Sequence, residues 1–195
     1  ALLLDFQATL EIKPEKAMKL EKDALALITE ITEDNAHLVS NLHSNLGGLY
    51  RMNGYPDLAM EHMEKGLFLL EQYNLLYTHD GIPQATNYAM FLTEQQAPEK
   101  GISVLQKLLK GIKEYNSDCC LDYATVQETL ATIYLMTANL PQAKTHFKRA
   151  CKIYEKIWAD EPEMIENKYL EIQELYPQVG FFLGQQLSNF LTKQT

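Results

Sequence analysis

The side chains of this 195-residue sequence that could carry chemistry are five histidines, three cysteines and 26 acidic residues. His37, His43, His62, His79 and His146 never stand four apart with a glutamate between them, the spacing by which one helix face offers zinc two ligands and its water a base. They read as packed or solvated residues: His43 falls on an apolar face, and Asp80, after His79, reads as a helix cap. Cys119 and Cys120 are adjacent rather than two residues apart, so they spell neither a redox motif nor a zinc knuckle, and with Cys151 they read as inert buried thiols. Gly47-Gly48 lies inside a helical pattern and not between a strand and a helix, where it would cradle a phosphate. Glu161, Glu163, Glu166, Glu171 and Glu174 fall on helix surfaces with no cleft to raise their pKa. No nucleophile, base and oxyanion donor converge, so the expectation is a protein that is not an enzyme and uses no cofactor and no metal.

Bulk properties narrow the partners. A formal charge of −9, from 26 acidic and 17 basic residues, repels a phosphate backbone or an anionic membrane surface at long range, and no run of Lys and Arg overrides it. Nucleic acid and membrane are therefore not expected as direct partners. An odd cysteine count with an adjacent pair is not a disulfide framework and fits a reduced, cytoplasmic setting. Ala1-Leu2-Leu3-Leu4 is too short for a signal-peptide core, and nothing approaches the roughly 20 apolar residues that span a bilayer. The chain starts on Ala1, and the expectation is a piece of a longer protein.

The elements that must position any site repeat along the chain. Pro14, Pro56 and Pro98 return every 42 residues, each followed three residues on by Ala17, Ala59 or Gly101, and the small residue returns again at Ala143. Pro141 comes one residue late. Proline suits the first turn of a helix, where its missing N–H is harmless and its fixed φ is already helical. Each therefore starts the second helix of a pair, after a turn at Asn53-Gly54-Tyr55, Gln95-Gln96-Ala97 or Ala138-Asn139-Leu140. Leu46 and Tyr50, Tyr88 and Leu92, and Leu130 and Tyr134 form i, i+4 pairs on three successive first helices. Small residues at Gly47, Ala89 and Ala131 face those at Ala59, Gly101 and Ala143 and let two helices approach. Met63, Leu105 and Phe147 follow as apolar plugs.

An all-α fold follows, with helices expected near 2–11, 14–32, 34–53, 56–74, 80–96, 98–116, 119–138, 141–159, 162–176 and 179–193. Asn45-Leu46-Gly47-Gly48-Leu49-Tyr50, with Gly54-Tyr55, Ala59, Met63 and Gly66, resembles the tetratricopeptide repeat. The 42-residue interval exceeds the usual length of about 34 residues and, with Asn45 and Asn87 ahead of Leu46 and Tyr88, is similar to the kinesin-light-chain type found also in bacterial proteins. The resemblance implies a right-handed α-α superhelix, a solenoid of about ten helices. It divides residues 1–195, as one array, into a degenerate leading repeat at 1–32, core repeats at 34–74, 80–116 and 119–159, and a capping helix pair at 160–195. Leu108 departs from the small residue at Gly66 and Ala150, and Glu21 and Asn189 replace the plug in the end units, as capping units allow.

In such arrays the first helices line a concave groove. A non-core stripe at helical spacing reads Asn41, Ser44, Asn45, Gly48 and Met52 on the first, Pro83, Thr86, Asn87, Met90 and Glu94 on the second, and Thr125, Glu128, Thr129, Thr132 and Met136 on the third. Small, amide and Met side chains suit an extended protein or peptide segment, offering donors, acceptors and an adaptable apolar surface. The resemblance implies peptide contact by Asn45 and Asn87, whereas their spacing shows only a shared face and fits backbone satisfaction between repeats equally. The stripes supply no Lys or Arg for a carboxylate clamp, and Arg51 at the groove edge is the only nearby cation on these helices.

The expected function is an interaction scaffold that binds a protein or peptide in this groove. Two alternatives stand beside it. One is the peptide-sensing half of a bacterial transcriptional regulator. The other is a structural array that forms a homo-dimer through its end helices, where Val179, Phe182, Leu183, Leu187, Phe190 and Leu191 make an apolar stripe.

Overall fold

Proline placement and glycine turns predict where helices start and stop, and the structure, a computed structural model, follows them closely. It describes residues 1–2, 4–5, 13–115 and 117–194, with the side chains of 191, 193 and 194 excepted. Among these residues there are helices and no strands: α1 (Pro14–Ala26), α2 (Ala36–Met52), α3 (Pro56–Gln72), α4 (Gly81–Glu94), α5 (Pro98–Tyr115), α6 (Leu121–Met136), α7 (Leu140–Ile157), α8 (Pro162–Leu175) and α9 (Pro177–Gln194). Most of the helix expected at 2–11 lies outside the described residues, as do Asn116 and the side chain of Leu191. No described helix is long and apolar enough to cross a membrane.

The turn between paired helices is one geometry used three times. Gly54, Gln96 and Ala138 all have positive φ, at 77°, 61° and 57°. After them the N–H groups of Tyr55, Ala97 and Asn139 donate to Tyr50, Leu92 and Tyr134 carbonyls at 3.0, 2.9 and 2.7 Å. This closure satisfies carbonyls that the helix end would orphan. Only at Gly54 does the residue type suit the left-handed backbone.

Three sequence expectations are corrected. Helix α1 ends at Ala26, not near 32, because Asn35 folds the chain back: its Oδ1 accepts from Thr32 N at 2.9 Å and its Nδ2 donates to Glu30 O at 2.9 Å. Such local side-chain bonds compete with helix. The late Pro141 is absorbed because α7 starts at Leu140, with Asn139 Oδ1 accepting from Gln142 N. At the start of α4 it is the Thr78 hydroxyl, in place of Asp80, that accepts from Gly81 N at 3.3 Å.

The chain forms two compact units, Ala1–Tyr88 and Ala89–Thr195, with α4 contributing to both. In the first, α1, α2 and α3 bury Ala24, Leu42, Leu46, Ala59, Met63 and Leu70. In the second, α6 to α9 share one core around Phe147, Cys151, Ile165, Tyr169, Ile172, Val179 and Leu183. Val179, Leu183, Leu187 and Phe190 of the terminal stripe point into that core, while Phe181 is 82% exposed. The small-residue columns set the helix spacing: a Cβ on Gly101 would stand 2.5 Å from the Ala89 carbonyl oxygen, a backbone atom that cannot yield. Leu108, the large residue in a small-residue column, is fully buried.

Candidate functional site

Helix α6 carries the third stripe, and in the second unit that stripe opens onto a cavity of about 220 Å³. Met90, Thr125, Glu128, Thr129 and Thr132 line it together with Tyr154, Lys168 and Tyr176. Thr125, Thr129 and Thr132 donate to the carbonyls four residues back, at 3.0, 3.0 and 3.1 Å. The hydroxyl protons are thereby directed into the helix, and the wall presents methyl groups and acceptor oxygens.

A charged pair closes the far side. Lys168 Nζ stands 3.2 Å from Glu128 Oε2 and 3.0 Å from Glu171 Oε1, with the Lys168 and Glu128 side chains 18% and 16% exposed. Tyr154 donates to Glu128 Oε2 at 2.9 Å, and Lys168 also lies 5.5 Å from the centre of the Tyr154 ring. Burial alone would lower the Lys168 pKa, but the carboxylates of Glu128 and Glu171 outweigh it and hold the ammonium above its ordinary value. Burial and the Glu128 charge push the Tyr154 hydroxyl up, so it stays a donor. Thr132 Oγ1 meets Tyr176 OH at 2.9 Å. The sequence reading found no cation on the stripes; Lys168 supplies one from α8. Tyr176 was legible, because it continues the 42-residue column of Tyr134. Tyr154 and Lys168 carry no such periodic signal.

The first unit treats its stripe differently. The Asn45 amide donates to Glu21 Oε1 at 3.0 Å and Asp5 Oδ1 at 3.1 Å, which is the between-repeat role the sequence left open. Glu21 is 1% exposed, and burial, then the Asp5 charge, push its pKa to about 7 against the Asn45 bond. Asn41 Oδ1 accepts from Gln84 Nε2 at 2.6 Å. Ser44 is half-buried, Arg51 and Asn87 are exposed, and Gly48 faces open space. Met52 is 74% exposed and Glu94 is exposed as well. Thr86 departs from its expected place: it is 7% exposed and its hydroxyl donates to the Pro83 carbonyl at 2.8 Å.

A second cavity in this unit, of about 710 Å³, is lined by Ile31, His43, Glu61, Glu64, Lys65, Phe68, Leu69, Gln72 and Tyr73. His43, expected as a plain core residue, is half-buried at its edge, and its Nδ1 lies 3.0 Å from Nδ1 of His62. Burial, then the neighbouring His62, take the His43 pKa down to about 4, and burial lowers that of His62. The thiols divide: Cys151 is buried, and burial pushes it up to about 12, while Cys119 is exposed and Cys120 half-exposed, against the expectation of three buried thiols. Among the described residues no three His, Cys, Asp or Glu side chains converge on a common point.

Comparison with known proteins places this geometry in context. The family model described as "Tetratricopeptide repeat" matches residues 82–156. No curated protein matches the sequence. Among solved structures, the crystal structure of BtubC (BKLC) from P. vanneervenii is similar, with a TM-score of 0.69 at 18% identity, over 93% of this chain and 74% of that one. At that identity the likeness is one of fold.

Proposed function

The chain is a tetratricopeptide-repeat protein, and from that premise we propose that it is an interaction scaffold, not an enzyme, which holds an extended segment of a partner protein against α6. Tetratricopeptide repeats in general bind proteins or peptides. The observation that carries the assignment to α6 is the convergence of five stripe residues on one cavity. Met90, Thr125, Glu128, Thr129 and Thr132 meet there with Tyr154, Lys168 and Tyr176. Methyl groups, acceptor oxygens and two phenol rings suit a partner main chain whose N–H groups face the threonines. The Glu128–Lys168 pair, already mutually neutralised, adds register more than affinity.

The test is a peptide display selection on the purified protein, followed by calorimetry of the selected peptides. Thr129→Arg fills the cavity and should abolish their binding while leaving the circular dichroism and melting temperature unchanged. Asn87→Ala, at the exposed end of the neighbouring stripe, should weaken binding by about 1 kcal/mol. Peptides that bind Thr129→Arg as tightly as the wild type would remove the α6 assignment.

A further inference from the structure

The fold brings together two imidazoles that the sequence holds 19 residues apart. His43 on α2 and His62 on α3 place their Nδ1 atoms 3.0 Å apart, with ring centres at 5.1 Å and planes inclined by 44°. One Nδ1–H donates to the other ring's lone pair, so the pair holds one proton between two nitrogens. Two imidazole nitrogens that share one divalent ion at about 2.0–2.1 Å stand about 2.9 Å apart at a right angle and about 3.3 Å apart at the tetrahedral angle. The observed separation lies inside that range. A modest turn of the rings, without backbone movement, brings both lone pairs onto one ion.

Access is also present. His43 forms part of the wall of the 710 Å³ cavity, whose lining includes the carboxylates of Glu61 and Glu64. Water can therefore reach the ion from one side while α2 and α3 hold the rings from the other. We propose that His43 and His62 form a two-imidazole site for a divalent transition-metal ion such as Zn²⁺, with water from the cavity completing its coordination. Imidazole is a ligand that suits zinc, copper and nickel. The proton balance is simple: as the ion takes both Nδ1 positions, the shared proton moves to Nε2 of its own ring. Both rings become Nε2–H tautomers, and no proton leaves the protein.

The second unit supplies a built-in control. Gln127 and His146 occupy the positions 84 residues after His43 and His62 and make the corresponding contact, His146 Nδ1 to Gln127 Oε1 at 2.7 Å. A glutamine amide holds that geometry as a hydrogen-bond partner and is no match for imidazole as a zinc ligand. His43→Gln therefore recreates in the first unit a pair that already folds in the second, while removing one ligand.

The experiment titrates the wild-type protein with Zn²⁺ alone and follows the histidine ring nitrogens by two-dimensional ¹⁵N spectroscopy, with calorimetry in parallel. Saturation at one equivalent is expected, with the His43 and His62 signals moving to the Nε2–H, Nδ1-bound pattern and His37, His79 and His146 unmoved. His43→Gln should lose the calorimetric site at least tenfold in affinity. Ring signals of His43 and His62 that stay in place at tenfold excess Zn²⁺ would overturn the proposal, including the case in which zinc is taken up by Cys119 and Cys120. An unchanged site in folded His43→Gln would overturn it equally. Should that variant not fold, the wild-type ring spectrum decides alone.

Discussion

Tyr50, His62 and His43 in the first unit correspond, 84 residues on, to Tyr134, His146 and Gln127 in the second, and the two trios use the same positions to different ends. The tyrosine ring lies 5.3 Å from the histidine ring in each. In the second unit Gln127 and His146 are 2% and 8% exposed, and the Gln127 carbonyl fixes the proton on His146 Nδ1. In the first unit a second imidazole stands where glutamine would be, half-buried beside a large cavity. Between them in sequence, Ala85, Leu92 and Val104 fill the same three positions with no polar group at all. The repeat thus tolerates an apolar trio or a polar one, provided that the polar groups are partnered.

Acid should break the second trio hardest. Burial, then the Arg149 charge, take the His146 pKa from 6.5 to about 4. The folded chain favours the neutral ring, so its stabilisation is complete above 6.5 and is withdrawn as the pH falls towards 4. A shift of that size is of the order of 3 kcal/mol. Urea unfolding at pH 7.5 and pH 4, for the wild type and for a His146→Val variant, should show the excess acid sensitivity only in the wild type.

Gln127→Leu removes one partner and leaves the other, which should cost about 1–3 kcal/mol because a buried imidazole N–H loses its acceptor. Chemical denaturation with an unchanged m-value would measure it.

The turns offer a smaller contrast between the same two regions. Ala138 holds a left-handed backbone that Gly54 adopts freely, so Ala138→Gly should stabilise the protein by about 0.5–1 kcal/mol and Gly54→Ala should destabilise it by a similar amount. A shift in melting temperature of the same sign for both would contradict the shared-turn geometry.

The smallest effect is expected for the triple variant Gln127→Ala, Tyr134→Leu, His146→Val, which writes the middle repeat into the second unit. Removing both partners together should leave stability within about 1 kcal/mol of the wild type, far less than the single Gln127→Leu change. A loss as large as the single variant's would show that the polar trio does more than replace an apolar one.

Helix starts were legible because proline and the small-residue columns act through local sterics, and each turn is closed by bonds within a few residues. Even the end of α1 had a local cause, the Asn35 bonds to Thr32 and Glu30, although its residues read as continued helix. The candidate site was legible by half. Met90, Thr125, Glu128, Thr129 and Thr132 follow from helical spacing, and Tyr176 from the 42-residue period. Thr86 shared the spacing and is buried, because spacing gives a face and not what covers it.

By itself, the sequence determined the repeat length, the all-helical class and the face of each helix, since all three depend on residues within one or two turns of each other. Tertiary packing decided the rest: that Asn45 is engaged by Glu21 and Asp5, that Lys168 reaches Glu128 from a helix 40 residues away, and that His43 meets His62. A hydrogen bond or an ion pair needs its partners within about 3 Å. Only the docking of one helix on another brings together side chains that the chain itself keeps far apart.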